Sequence, residues 1–158
     1  MSLKEQINSD LKTALLGGDH FKCDTLRTIK AAILNEEVTQ GKRQEGLDDS
    51  SIEQLIAKEL KKRRESAEIY VKAGRNELAD NEDKEAEILA EYLPAQLSEA
   101  EVLDAINEQI DELKVDSPSA MGQLIGAVKK QLGNSADGSV IARLVKQALE
   151  EKINKTES

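Results

Sequence analysis

Apolar residues recur at every third or fourth position through most of this chain, and that spacing limits the fold more than any other feature. Leu124, Val128 and Leu132 are one example. Apolar residues at this spacing form one stripe along an α-helix. Alternating apolar and polar runs, which are typical of strands, are missing, and aromatic residues make up only 2% of the chain. The sequence therefore predicts an all-α protein with an aliphatic core.

Capping and helix-breaking residues divide this pattern into seven predicted helices. Ser2 with Glu5, and Ser98 with Glu101, each have the spacing of a capping box at a helix start. Pro94 lacks a backbone N–H, so the fourth helix is expected to end just before it. The predicted organisation is an N-terminal four-helix part (1–93), a linker (94–97), a C-terminal three-helix part (98–153) and a frayed tail (154–158).

The same stripes predict which side chains enter the core. Residues predicted to face inward include Leu15, Phe21, Val38, Leu78, Ile88 or Leu89, Tyr92, Ile106 and Leu113. Gly122 and Gly126 lie four residues apart in the sixth predicted helix, where missing Cβ atoms would let a second helix approach closely. Alternatively, Gly122 lies near the helix start and lets a phosphate reach exposed backbone amides.

Composition also predicts the compartment. Cys23 is the only cysteine, so an intramolecular disulfide is impossible and a reducing environment is expected. The first residues lack an apolar signal core. The longest uncharged run, Ser117 to Val128, is shorter than the roughly 20 apolar residues that a membrane span needs. We therefore expect a cytoplasmic protein with no membrane partner.

A net-positive segment lies near the C-terminal end of an acidic chain, whose net charge is −9. Between Ala120 and Leu149 the charged residues are Lys129, Lys130, Arg143 and Lys146, with Asp137 as the one acid. A basic island of this kind favours an anionic partner, although it can equally be a solubilising outer face. Convergence of these cations on one exposed face would favour RNA contact, whereas pairing with acids would favour a protein-interaction module.

Two further charged segments lead to separate predictions. Lys61, Arg64 and Arg75 form a secondary basic face, unless they pair with acids of the fourth helix. Residues 77–112 contain thirteen acids and one lysine. This acidic segment argues against indiscriminate nucleic-acid binding, and hence against a DNA partner. It also supports an alternative function as an adaptor for a basic protein of the translation machinery, with no direct RNA contact.

Residues suited to catalysis are few. His20 is the only histidine, and Cys23, three residues later, could share its helix face. A boundary histidine beside a buried cysteine is the simpler interpretation of that pair. A zinc site usually draws on four Cys or His ligands, and Gly-rich phosphate loops of standard spacing are missing. The chain therefore shows no catalytic constellation, and we expect no metal or cofactor.

Two separated blocks resemble a known family. The first comprises Arg64–Glu65–Ser66, Tyr70, Ala73–Gly74–Arg75 and Tyr92–Leu93–Pro94, and the second Gly122, Gly126, Lys129, Lys130 and Gly133 with a closing helix. In this order and spacing they resemble the YqeY family. The second block is also similar to the tail domain of the B subunit of glutamine-dependent tRNA amidotransferases.

The resemblance implies a four-helix part followed by a three-helix part and a link to tRNA. In the amidotransferase the tail domain meets the tRNA body, while the kinase and amidase chemistry lies elsewhere. Matching positions make Gly122, Lys129, Lys130, Gly133, Gly138 and Lys146 candidate RNA-facing residues, and Arg143 joins them by its charge. The resemblance also implies carbon–nitrogen ligase activity with glutamine as amide donor, for which this chain lacks its own catalytic residues. Related loops often carry a basic residue just after the glycine, whereas here Asn134 and Ser135 follow Gly133.

Overall fold

The computed structural model describes residues 1–157, which form seven α-helices and no strand. The helices are α1 (Leu3–Gly17), α2 (His20–Thr39), α3 (Asp49–Lys72), α4 (Asn76–Ala90), α5 (Glu99–Leu113), α6 (Met121–Leu132) and α7 (Gly138–Glu157). Short 3₁₀ turns at Pro118–Ala120 and Gly133–Ser135 flank α6. The all-α prediction is confirmed. Throughout this described part, every helix is too short or too polar to cross a lipid bilayer.

The chain divides into two compact units, the first ending at Leu93 and the second beginning at Pro94. In the first unit, α1 to α4 enclose an aliphatic core, and α3 and α4 pack against each other as a helical hairpin. Its buried residues include Leu26, Ile29, Ile33, Ile52, Ile56 and Leu89. In the second unit, α5, α6 and α7 surround Val102, Ile106, Leu124, Val128, Ile141 and Val145. Each unit therefore has a core of its own.

Local sequence signals fix several helix ends. The Ser2 and Ser98 side chains accept hydrogen bonds from the Glu5 and Glu101 backbone N–H groups, so both predicted capping boxes are present. The fourth helix ends at Ala90, earlier than Pro94 requires. The last helix continues to Glu157, whereas the sequence predicted a frayed tail from residue 154; Ser158 lies outside the described residues.

Several residues predicted to face inward are exposed. Leu15, Phe21, Val38, Leu78 and Leu113 expose between 37% and 57% of their surface, so these predictions are wrong. The reason is that each helix contacts its neighbours over only part of its apolar stripe, and residues at the stripe's edge or at a helix end stay uncovered. Tyr92, Leu89 and Ile106 are buried as predicted.

A buried carboxylate, that of Glu37, forms a hydrogen bond with the loop between α2 and α3. Glu37 is 2% exposed. It accepts a hydrogen bond from Lys4 Nζ at 2.8 Å and another from the Leu47 backbone N–H at 3.0 Å. The Lys4 hydrogen bond, helped by the one from Leu47, holds the pKa of Glu37 below its usual value although burial opposes this. The pair therefore stabilises the carboxylate form and connects α1, α2 and the loop.

Candidate nucleic-acid interface

The outer side of α6 carries two glycines and two lysines. Gly122 and Gly126 each lie two residues from Leu124, which is about 200° around the helix from that buried side chain. Lys129 and Lys130 follow Gly126 by three and four residues, so all four share one exposed side. We call Gly122, Gly126, Lys129 and Lys130 the glycine–lysine face.

The two helical glycines have no packing role among the described residues. A Cβ built at Gly122 or at Gly126 would meet no atom of a neighbouring element within 4 Å. The expectation that these glycines admit a second helix of this chain is therefore wrong, because Leu124 and Val128 make the helix contacts from the opposite side. Glycine in a helix interior costs about 1 kcal/mol relative to alanine. That cost is uncompensated by packing within this unit, and the backbone of α6 is left open to a partner.

Gly133 ends α6 and fixes the loop that follows. Its φ of +56° and ψ of −132° are a backbone conformation that side-chain-bearing residues rarely adopt. The next residues are tied to the start of the second unit: the Leu97 N–H donates to the Ser135 carbonyl at 2.8 Å, and Gln96 Nε2 donates to the Asn134 carbonyl at 3.0 Å. The small-residue loop therefore has a defined path between α6 and α7.

The Lys129 side chain lies against Gly138 at the start of α7. A Cβ at Gly138 would lie 3.2 Å from Lys129 Cε and 3.3 Å from Lys129 Nζ, so the lysine side chain crosses the start of α7 where Gly138 has no side chain. Gly138, a predicted RNA-facing residue, therefore lies beside a second candidate residue, Lys129, and remains partly exposed. One residue earlier, the Asp137 carboxylate accepts from the Ser139 backbone N–H and hydroxyl group at 3.2 and 2.9 Å. The first turn of α7 thus already holds an anion.

The two candidate cations of α7 differ in their surroundings. Arg143 forms an ion pair with Glu99 at the start of α5, and both side chains are about half exposed. Lys146 lies three residues further on and is exposed. In the described part of the chain, Lys129, Lys130 and Lys146 form no ion pair. The cations therefore do not all pair with acids: three form no ion pair in the described part of the chain, and Arg143 is held by a carboxylate.

The secondary basic face is partly neutralised. Arg64 lies 3.3 Å from Asp83 of α4, and the three predicted residues Lys61, Arg64 and Arg75 are all exposed. The neighbouring Arg63 is the deeply placed cation of this hairpin: it is 13% exposed and lies 3.1 Å from Glu59 and 3.0 Å from Glu85. Sequence reasoning assigned Arg63 no role, because four consecutive basic residues do not reveal which one faces the neighbouring helix.

The two residues considered for catalysis, His20 and Cys23, differ in their exposure to solvent. Cys23 is buried, whereas His20 is exposed at the first turn of α2. Across the described residues, no three His, Cys, Asp or Glu side chains are grouped as metal ligands.

Gly126 and Glu99 are the residues of the interface that sequence reasoning left out of the candidate set. The spacing of Gly126 from Gly122 and Lys129 could have revealed its place on the exposed side, but nothing local indicates the contact of Glu99 with Arg143.

Comparison with known proteins gives a family match over most of the chain. The family model described as "Yqey-like protein" matches residues 4–149. A relative from Lachancea thermotolerans, named altered inheritance of mitochondria protein 41, mitochondrial, is 35% identical over 128 residues, which cover 78% of this chain and 65% of the relative. The protein of the same name from Clavispora lusitaniae is 27% identical over 141 residues, covering 87% of this chain and 78% of that protein.

Proposed function

This chain belongs to the YqeY-like family, and from that premise we propose that it is a tRNA-associated accessory protein that contacts the tRNA backbone through its second unit. The observation that carries the proposal is the glycine–lysine face. Gly122 and Gly126 leave the α6 backbone uncovered, and Lys129 and Lys130 lie beside it without ion-pair partners in the described part of the chain. Cations next to a bare helix surface suit phosphate and sugar contacts, which position a nucleic acid without reading its bases.

The proposed role is support of glutamine-dependent tRNA amidation or a related tRNA step. The similarity of the second unit to the amidotransferase tail domain supports this link. The ligase chemistry with glutamine as amide donor then belongs to a partner enzyme, and this chain presents or holds the tRNA. Purified protein is expected to leave glutamine intact. Hydrolysis of glutamine that disappears on a defined point substitution would contradict an accessory role.

Binding of labelled bulk tRNA, followed by fluorescence anisotropy at low salt, tests the proposal directly. The Lys129→Glu/Lys130→Glu variant is expected to bind at least tenfold more weakly. Lys12→Glu/Lys42→Glu in the first unit is the matched control, because it changes the net charge equally at exposed positions. An equal loss in both variants would show that affinity follows net charge alone and would contradict the proposed face.

The alternative function is an adaptor that uses the acidic segment 77–112 and makes no RNA contact. Part of that segment is neutralised within the protein, since Asp83, Glu85 and Glu99 pair with arginines. Its other acids remain for a basic partner, whose encounter would weaken with salt. Absence of tRNA binding at low salt would favour this function.

The compartment is a separate part of the proposal. The sequence predicts the cytoplasm, whereas the relatives from Lachancea and Clavispora are named mitochondrial proteins. Both settings are compatible with a protein that works on tRNA, so the proposed function does not depend on this choice.

A further inference from the structure

The first unit carries an apolar cleft between α1 and α2, distinct from the proposed RNA interface. Its volume is about 260 Å³, and Ile7, Ala31 and Leu34 form much of its wall. Leu34 is 43% exposed, and Val38, one turn further along α2, is 57% exposed. The apolar surface of the cleft thus continues along the outside of α2, where the described residues leave it uncovered.

Groups with N–H donors stand at the edge of this cleft. Lys4 lines it, and the buried Glu37 holds the Lys4 ammonium at 2.8 Å. An ammonium has three donors, so Lys4 keeps donors for a second partner. Lys30 of α2 also lines the cleft, and its ammonium group forms no ion pair or hydrogen bond within the described part of the chain. Asn8 of α1 adds an amide. Glu37 also lines the cleft, so its charged groups, Lys4, Lys30 and Glu37, carry a net charge of +1, which is complementary to an apolar group flanked by a carboxylate.

We propose that this cleft docks an acidic amphipathic helix of another protein. One or two aliphatic side chains of that helix would enter the cleft, and flanking Glu or Asp side chains would meet Lys4 and Lys30. This is the helix-in-groove mode of recognition, in which apolar anchors one turn apart enter a groove. The volume lies below the roughly 300–1,000 Å³ of drug-sized ligand sites, which favours a side-chain anchor over a small molecule.

A second copy of this chain is a poorer occupant. Its acidic helices are α4 and α5, and both already bury their apolar stripes: Ala86 and Leu89 in the first unit, Val102 and Ile106 in the second. Each leaves one large apolar side chain exposed, Leu78 in α4 and Leu113 in α5, so neither helix presents two apolar anchors one turn apart. The charge and the unused apolar surface therefore point to a different protein.

The test uses the full chain and a synthetic 18-residue helical peptide with leucines one turn apart and flanking glutamates, measured by isothermal titration calorimetry. We expect binding, and at least tenfold weaker binding by Lys30→Glu and by Leu34→Glu. Leu16→Glu is the matched control: it makes the same change at a leucine that is 83% exposed and does not line the cleft. Unchanged binding by this control, and loss of binding when the peptide glutamates become lysines, would support the proposal.

Several outcomes would overturn it. One is absence of peptide binding to the wild-type chain, and another is equal binding by all variants. A dimer in analytical ultracentrifugation that Leu34→Glu abolishes would assign the surface to a second copy instead. Because Lys30 is exposed, Lys30→Glu should keep its helical circular dichroism even if Leu34→Glu does not.

Discussion

Gly126 lies in the interior of α6 with open space where its Cβ would be. Replacing it with alanine should raise the free energy of unfolding of the second unit by about 0.5–1 kcal/mol, because alanine favours the helix and constrains the unfolded chain. The same methyl group should weaken tRNA binding several-fold, since it projects from the glycine–lysine face. Denaturant unfolding and anisotropy on one sample measure both effects. A variant that is more stable and binds tRNA unchanged would show that the bare backbone has no function.

Gly138→Ala tests the positioning of Lys129. The added Cβ would lie 3.2 Å from Lys129 Cε, so the flexible lysine must move while the fold remains. We expect a change of less than about 0.5 kcal/mol in unfolding free energy, together with weaker tRNA binding. If Lys129→Ala and Gly138→Ala act through the same contact, the double variant should bind no more weakly than Lys129→Ala alone. Additive losses would contradict the positioning role.

Glu37 makes the stability of the first unit depend on acid pH. Its pKa is lowered from 4.5 in the folded protein, so its contribution is present above pH 4.5 and is lost as pH falls through the lower folded value. At pH 7, Glu37→Gln should cost about 1–3 kcal/mol because it disrupts a buried charged hydrogen bond. The difference in unfolding free energy between this variant and the wild type should become smaller below pH 4.5. Glu45→Gln, in the exposed loop, is the control. If the cost of Glu37→Gln in unfolding free energy does not change with pH, the role of the carboxylate is contradicted.

Single residues also show what the sequence can predict. The capping roles of Ser2 and Ser98 follow from neighbours three residues away, and such local signals were sufficient. The exposure of Gly126 could likewise have been predicted from its spacing relative to Gly122 and Lys129. The pairing of Arg143 with Glu99 joins residues 44 positions apart, and only the packing of α5 against α7 brings them together. The sequence therefore predicts which cations form the candidate site, but it does not predict which of them pair with a carboxylate.

At the scale of helices, the contact between α5 and α7 places the Glu99 carboxylate against Arg143, one of the candidate RNA-facing cations. Glu99 holds Arg143, so tRNA must displace this side chain before Arg143 can contact the backbone. Glu99→Gln should therefore strengthen tRNA binding about two- to fivefold, an effect in the range of an exposed ion pair. Asp104→Asn, an exposed acid on the same helix, removes the same charge without releasing Arg143. Equal gains in both variants would mean that the effect is long-range electrostatics alone.

Helix type and number follow from the spacing of apolar residues, while the ends of several helices and the exposed edges of their stripes depend on neighbours. Tyr92 illustrates the limit. It was predicted to face inward, and its buried hydroxyl group donates to Asp10 at 2.6 Å, a residue 82 positions away. Burial, the Asp10 hydrogen bond and nearby negative charge raise the pKa of Tyr92 above its usual range. The sequence reveals the apolar ring, but the partner of the hydroxyl group emerges only in the folded unit.

For the whole molecule, two separate cores allow the proposed RNA contact to be tested on the second unit alone. A fragment of residues 94–158 contains all of the second core and the glycine–lysine face. Many domains of about 55–65 residues fold alone, so we expect a cooperative thermal transition and tRNA affinity within about threefold of the full chain. If the fragment folds but fails to bind tRNA, at least part of the interface must lie in the first unit.

The salt dependence of tRNA binding tests the central claim most directly. Backbone contacts release counterions, so the logarithm of the association constant should fall linearly with the logarithm of salt concentration. Relative to wild type, Lys129→Glu/Lys130→Glu should bind more weakly and show a shallower slope by roughly two, one for each lost phosphate contact. An unchanged slope in this variant, or no tRNA binding by the wild-type protein even at low salt, would contradict the assignment of α6 as the tRNA-contacting surface.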